Sequence, residues 1–428
     1  MKTLLIRIKN IVNDRFTRIL FYDQTLKKGY ATLTSFPKFF ILRRVVLTVA
    51  ALPLAILCWV ALVITNCFVP VRIYRFERPL RPGRASAYIE QLEPLCRGLQ
   101  VENTRSFLVF IDAGATTNRA LGSIYSSHFD LFLDDERPLL RLVFSLIPRI
   151  GFLNAYVPHS HYNLNWELQP ARKIGSTELS RIPEAVRSLG IEPFKYVTIS
   201  HPSVDYYKRR KTPTELSELN RFIELKPART AIQYLTQHGL RIVRVGVNTG
   251  SLPESLNDLP IIDLSGDRRS DEQDLWLFEN CFFHWSMGAN GAWHFAHKFN
   301  RPTLVTDLYG KVSSGYQFSF YTFQEVWDDV RKRSMTLTEM SKRQGVLGRS
   351  SPMRDQGLKF IQNSPGQVLA AVTEVMESLQ GQTGGERYDQ SLLERYDKIL
   401  FNMGHPFRRN SHTRPCISFL SSISEILK

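Results

Sequence analysis

The residues whose types and spacing best suit chemistry lie in one stretch, CFFHWSMGANGAWHFAHKFNRPTLVTD, from Cys281 to Asp307. Ser286, Gly288, Ala289, Asn290 and Gly291 make a turn of small residues between an aromatic run and a helical pattern over Ala292 to Phe299. A turn of this kind bares backbone N–H groups, and the helix start that follows adds the positive end of a dipole; both favour an anion such as a phosphate. The competing reading is an ordinary strand–helix connection whose glycines serve geometry alone. The stretch by itself leaves both open.

Three further places carry candidate groups. His201 directly follows the apolar run YVTIS, where an imidazole can meet a phosphate or a sugar hydroxyl. Arg244, in RIVRV and two residues before Gly246, is either a buried partner for a carboxylate or a fork reaching toward a diphosphate. Ser270 and Asp271 sit where a loop enters the pattern Glu272 to Glu279, as a helix cap or as donors to a ligand. The run Lys208-Arg209-Arg210-Lys211 is a solvated face or an electrostatic guide for an anion. No HExxH, GxSxG, Walker A or EF-hand spacing occurs, and the five cysteines show neither a CxxC nor a paired spacing. A metal centre and a disulfide framework are therefore not expected.

The elements that must position these groups follow from periodicity. FLVFI at Phe107 to Ile111 is a short buried strand, with Asp112 at its tip and a helical pattern around Asn118 and Arg119. Further on, strands are expected at Tyr196 to Ile199, Arg241 to Val245, Ile261 to Asp263, the run before Ser286, and Thr303 to Thr306. Helices are expected at Ala228 to His238 and Asp274 to Asn280. Strands alternating with helices imply a parallel, doubly wound sheet, whose ligands bind beyond the carboxyl ends of its strands. Leu139 to Leu153 reads as a core helix, and 154–190 as an irregular connection.

The 428 residues carry a net charge of +15, unevenly spread. Ten lysines and arginines lie in 1–44 against only Asp14 and Asp23, and Arg72, Arg75, Arg78, Arg81 and Arg84 face only Glu77. Between these clusters, Val45 to Val69 is 25 residues without a charge, where about 20 suffice to cross a bilayer core. A single membrane span is expected, with a re-entrant hairpin bent at Pro53 as the alternative. The arm over 1–44, with Leu4, Leu5, Ile8, Ile11 and Val12 at helical spacing, suits an amphipathic helix on anionic membrane lipids. Charge concentrated beside an apolar run, rather than across a folded face with interleaved aromatics, argues against nucleic acid as a partner.

Taken in order, YVTISH, Tyr206-Tyr207, Asn220-Arg221, AIQYLTQHGL, RIVRVG, IIDLSGDRRSDEQDLWLFENCFFHWS, GANG and FNRPTLVTD resemble the C-terminal domain of a family of bacterial glycosyltransferases from surface-carbohydrate loci. TTNRALGSIYSSHFDLF is similar to that family's Asn-containing helical segment. Two departures stand out: Ser203 takes the place of an arginine in the family's His-Val-Arg-Asp, and Ala289-Asn290-Gly291 replaces a Ser-Ser-Gly-like turn.

The resemblance implies an α/β protein of two Rossmann-like domains in a GT-B-like arrangement behind a membrane-anchoring helix. Its parts would be an arm (1–44), a membrane helix (45–69), an acceptor domain (70–190), a nucleotide-sugar domain (191–345) and a helical region (346–428). It implies transfer of a sugar from a nucleotide-sugar to a lipid-linked or surface-polysaccharide acceptor at the cytoplasmic face of a membrane, without metal or other cofactor. Asp112 and His201 are then the expected catalytic groups. Arg244, Gly246, Ser270, Asp271, Ser286, Gly288, Ala289, Asn290 and Gly291 are the expected donor site. A non-catalytic scaffold of a polysaccharide-assembly complex and a polyol-phosphate transferase are the alternatives on the same architecture.

Overall fold

The computed structural model describes residues 38–75, 107–112, 119–126, 129–134, 155–156, 183–201, 223–246, 250–266, 269–288, 290–308, 319–343, 355–381, 388–402 and 414–427, with Ile89, Leu92, Glu93, Cys96 and Met353. The expected helices at 1–37 and 139–153, the basic run 208–211, and Ser203, Tyr206, Tyr207, Asn220, Arg221 and Ala289 lie outside them. The chain divides into two compact units, Met1–Ser160 and His161–Lys428.

The first unit begins with α1, Lys38–Phe68, which starts ahead of the apolar run and passes unbroken through Pro53. Val49–Phe68 is long and apolar enough to cross a bilayer; at 1.5 Å per residue its 20 residues reach about 30 Å. Ala51, Ala55 and Leu62 are buried, while Val49, Leu57, Ile64 and Phe68 stand exposed. An exposed apolar row of this kind is suited to lipid or to a partner.

Only Val69 and Pro70 separate α1 from β1, Val71–Arg75, and the Asn66 side chain accepts the Val71 N–H at 2.8 Å. Arg72 and Arg75, on sequence part of a basic flank, thus belong to a strand. β1 pairs in parallel with β2, Phe107–Asp112, and with β4, Ala155–Tyr156; β2 pairs in parallel with β3, Leu131–Asp134. Between β2 and β3 runs α2, Arg119–Ser126, whose Tyr125 hydroxyl donates to buried Glu93 at 2.8 Å.

The second unit is built on a seven-stranded sheet in which every pairing is parallel. After α3, Glu184–Arg187, come β5 (Tyr196–Ser200), α4 (Arg229–Gln237), β6 (Arg241–Arg244) and β7 (Ile261–Asp263). Then follow α5 (Asp271–Asn280), β8 (Phe283–Met287), α6 (Trp293–Lys298), β9 (Thr303–Leu308) and β10 (Ser319–Phe323). Every residue of β5, β8 and β9 is buried, as central strands covered on both faces require. α4 sets Ala231, Ile232 and Leu235 on the core and ends at Gly239, whose φ of +79° suits a residue without a Cβ.

Beyond the sheet, β11 (Glu325–Asp328) pairs antiparallel with β12 (Arg333–Ser334) and β13 (Leu358–Ile361); α7 (Leu337–Lys342) intervenes. α8, Pro365–Leu379, opens with a capping box of Ser364 and Gln367 and buries Val368, Ala371, Val372, Val375 and Met376. After α9 (Gln390–Asn402), β14 (Arg414–Pro415) adds an edge strand beside β10, and α10 (Ile417–Ser422) packs its Phe419 into the same core.

Candidate functional site

The seven-stranded sheet reverses its direction of growth once. From β5 the chain moves outward through β6 to β7, returns to place β8 on the other side of β5, and moves outward again through β9 to β10. This is the doubly wound order, and its crevice opens where the growth reverses, between the carboxyl ends of β5 and β8. Ser200 and Ser286 are level across that joint. His201 follows one strand, and the turn from Gly288 to Gly291 follows the other.

A buried polar relay runs beneath this point. Thr198 Oγ1 lies 3.0 Å from His284 Nδ1, and Ser200 Oγ lies 3.1 Å from His284 Nε2. The Ser200 hydroxyl donates to Asn290 Oδ1 at 3.2 Å, and the same oxygen accepts the Ala292 N–H at 2.9 Å. Asn290 Nδ2 donates to the carbonyls of Ser200 and Met287 at 3.4 and 3.5 Å. Gly288, at φ +72°, donates its N–H to the Thr306 carbonyl at 2.7 Å, tying the turn to β9. Burial pushes the His284 imidazole down to about 3, so it is neutral at physiological pH.

The other residues singled out on sequence fall as follows. Ser286 is buried, and its hydroxyl donates to the Gly288 carbonyl at 3.0 Å, shaping the turn from within. Gly291 is exposed at the start of α6. His201 is part-buried; burial first, then the Arg244 charge, pushes its imidazole down to about 4, with Asp263 opposing. A neutral imidazole serves a hydroxyl better than a phosphate. Arg244 is buried, its guanidinium donating to Asp263 at 2.7 Å and to the Gly250 carbonyl at 2.9 Å. Gly246 takes φ +130° and accepts the Gly266 N–H at 3.0 Å. Ser270 caps α5 by accepting the Gln273 N–H at 3.1 Å, and Asp271 pairs with Arg269, which also binds Asp274. With Asp271, Glu272 and Asp274 in its first turn, α5 does not favour an anion at its start. In the first unit, Asp112 ends β2 and is level with Asp134 of β3.

Sequence reasoning passed over Thr198, Ser200 and His284, whose only signal is a polar residue recurring inside otherwise apolar strands. It also passed over Asp307. At the end of β9 this residue is fully buried at φ +59°; Oδ1 accepts the Asn363 N–H at 2.6 Å and Oδ2 has no partner among the described residues. Its own N–H donates to Thr322 Oγ1 at 3.0 Å, and the Thr322 hydroxyl donates to Asn363 Oδ1. Burial, opposed by the Asn363 N–H, pushes this carboxyl up to about 7. Among the described residues no three His, Cys, Asp or Glu side chains are grouped to hold a metal ion.

No family model matches the chain, and no curated protein sequence does. Solved structures do resemble parts of it. The E. coli ADP-heptose LPS heptosyltransferase II is 15% identical, over 55% of this chain and 84% of that one, at a TM-score of 0.32. The dodecameric iron-containing heptosyltransferase TibC, in complex with ADP-D-β-D-heptose, is 13% identical over 73% and 77%, at 0.38. The E. coli heptosyltransferase WaaC with ADP is 10% identical over 59% and 90%, at 0.28. At these identities and scores neither a substrate nor a residue's role passes from them to this chain.

Proposed function

We propose that the chain is a membrane-associated glycosyltransferase that moves a sugar from a nucleotide-sugar to a lipid-linked or surface-polysaccharide acceptor. The observation that carries this reading is the switch point of the seven-stranded sheet, where His201 and the Gly288–Gly291 turn follow adjacent parallel strands. A crevice at that place is where a doubly wound sheet takes a nucleotide. The ordered series of motifs from Tyr196 to Asp307, with its resemblance to surface-carbohydrate glycosyltransferases, supports a sugar as the nucleotide's cargo.

In this reading the backbone N–H groups of Asn290 and Gly291 bind the diphosphate and stabilise its charge as the sugar leaves. His201, neutral, hydrogen-bonds a hydroxyl of the donor. Arg244 supports the site from below by holding the loop at Gly250 against Asp263. Asp112, at a strand tip of the first sheet, is the base that takes the acceptor's hydroxyl proton. α1, joined to β1 through two residues, holds that sheet close to the membrane that carries the acceptor. The test is calorimetric titration of the full chain in detergent with UDP, GDP and CMP. Saturable binding of one of them is expected, weakened by His201→Ala, and no binding to any overturns the reading.

A further inference from the structure

We infer that His284 is a positioning residue for the site: held as its Nε2–H tautomer, it directs a hydrogen-bond relay that locks Asn290 and so presents the backbone N–H groups of Asn290 and Gly291 to the donor's diphosphate. The diphosphate half of this rests on the nucleotide-sugar reading. The tautomer does not.

The direction follows from counting protons. Asn290 Oδ1 accepts the Ala292 N–H, a backbone donor that cannot reverse, and Nδ2 faces two carbonyls, so the amide has one possible orientation. An amide oxygen has no proton to give, so the single hydroxyl proton of Ser200 goes to Asn290. Ser200 Oγ must then accept from His284, and Nε2 carries the imidazole proton. With one proton on a neutral ring, Nδ1 accepts from the Thr198 hydroxyl. The opposite tautomer would set a hydroxyl lone pair of Ser200 against Asn290 Oδ1. Among the described residues no charged group bears on the ring, and its other neighbour is Phe278, edge-on with ring centroids 5.0 Å apart; a hydrogen bond with the Thr198 backbone opposes burial, but burial outweighs it and the ring stays neutral.

The consequence concerns Asn290. Both ends of its amide are engaged inside the protein, so it shapes the turn rather than touching a ligand, and contact with a diphosphate falls to the backbone. The relay also joins the two strand tips that flank the crevice: Ser200 ends β5, and Asn290 follows β8. A ligand at the crevice meets a turn already fixed, which spares it the ordering that a loose loop would require.

The experiment uses full-length protein in detergent, labelled with 15N at histidine, and long-range 1H–15N correlation from pH 8 to 5. One histidine is expected to be protonated at Nε2, not to titrate, and to be missing from His284→Phe. An Nδ1–H pattern, or an imidazolium by pH 5, overturns the inference. A second arm reads amide hydrogen exchange over residues 286–292. Ser200→Ala and Asn290→Ala are expected to speed exchange at Ala292 about tenfold, the equivalent of one hydrogen bond. Thr198→Ser, which keeps the hydroxyl, is expected to leave it unchanged. Wild-type exchange in both alanine variants overturns the relay. Nucleotide affinity about tenfold weaker in folded His284→Phe is the third expectation. A wild-type chain that passes the first two arms yet binds no nucleotide overturns the diphosphate half alone.

Discussion

Within β8 the buried imidazole of His284 has a partner for each ring nitrogen, whereas toward the end of β9, the next strand over, the buried carboxyl of Asp307 has a partner for Oδ1 and, among the described residues, none for Oδ2. Both side chains are fully buried, and both are driven by burial toward the neutral form. The outcomes differ because an imidazole is neutral without its proton and a carboxyl is neutral with it, so the same burial lowers one pKa and raises the other. An imidazole pushed down to about 3 is silent across the physiological range, while a carboxyl pushed up to about 7 titrates in the middle of it. One strand carries a fixed support and its neighbour a group whose charge follows pH.

The comparison breaks most severely where a buried carboxylate is fully satisfied. Glu374 of α8 accepts from the Arg414 guanidinium, from the N–H of Ile417 at 3.1 Å, and from the N–H and hydroxyl of Ser418 at 2.9 and 2.8 Å. Glu374→Ala would strand a cation and the first N–H groups of α10, and is expected to lower stability by about 3–5 kcal/mol in chemical denaturation. Asp307 lacks such donors, and the sign of its effect reverses. Between pH 4 and 7 the folded chain keeps a proton that the unfolded chain has released, so through this group stability falls as pH rises. From pH 5 to 8 that fall amounts to about 2–3 kcal/mol. Denaturation of Asp307→Asn at a series of pH values is expected to lack it; a variant that follows the wild-type slope would show that Asp307 does not titrate there.

The relay acts in the opposite direction. His284 has its folded pKa depressed, so the unfolded chain takes up a proton below about 6.5 that the folded chain refuses until about 3, and stability is lost as pH falls through that window. Between pH 8 and 5 the loss is about 2 kcal/mol, and His201, depressed to about 4, adds to it. His284→Phe is expected to be less stable at pH 8, where Thr198 and Ser200 lose their partner, yet to show a shallower acid limb. Its denaturation midpoints at pH 8 and 5 should lie closer together than those of the wild type.

Much of the second sheet is legible in the sequence, because β5 to β9 are short apolar or β-branched runs set between helices with caps and glycine stops. Ser270 reads as a cap from its place before Glu272 to Glu279, and it is one. What periodicity cannot deliver is who stands beside whom. Arg244 has two readings on sequence because Asp263 is 19 positions away; register places the two opposite each other on β6 and β7, and the guanidinium closes on that carboxylate. His284 hides in an aromatic run, since only the neighbouring strand reveals Thr198 and Ser200 as its partners. Asp307 gives no signal at all, for its character comes from burial and from Asn363, 56 positions on. β14 is two residues long and exists as a strand only through β10.

The smallest effect expected concerns the backbone at the ends of these two strands. Gly288 and Asp307 both take left-handed φ, at +72° and +59°, and only the first does so with a residue suited to it. Gly288→Ala places a Cβ in that conformation and is expected to cost about 1–2 kcal/mol, read as a small drop in denaturation midpoint at constant slope. Its hydrogen bond to Thr306 belongs to the backbone and survives the substitution, so the loss should be insensitive to pH. At Asp307 the strain is native and an aspartate tolerates it better than most residues. A Gly288→Ala, Asp307→Asn double variant therefore removes the carboxyl's share of the pH dependence, and adding His284→Phe to it reads the relay's share of the acid limb by difference.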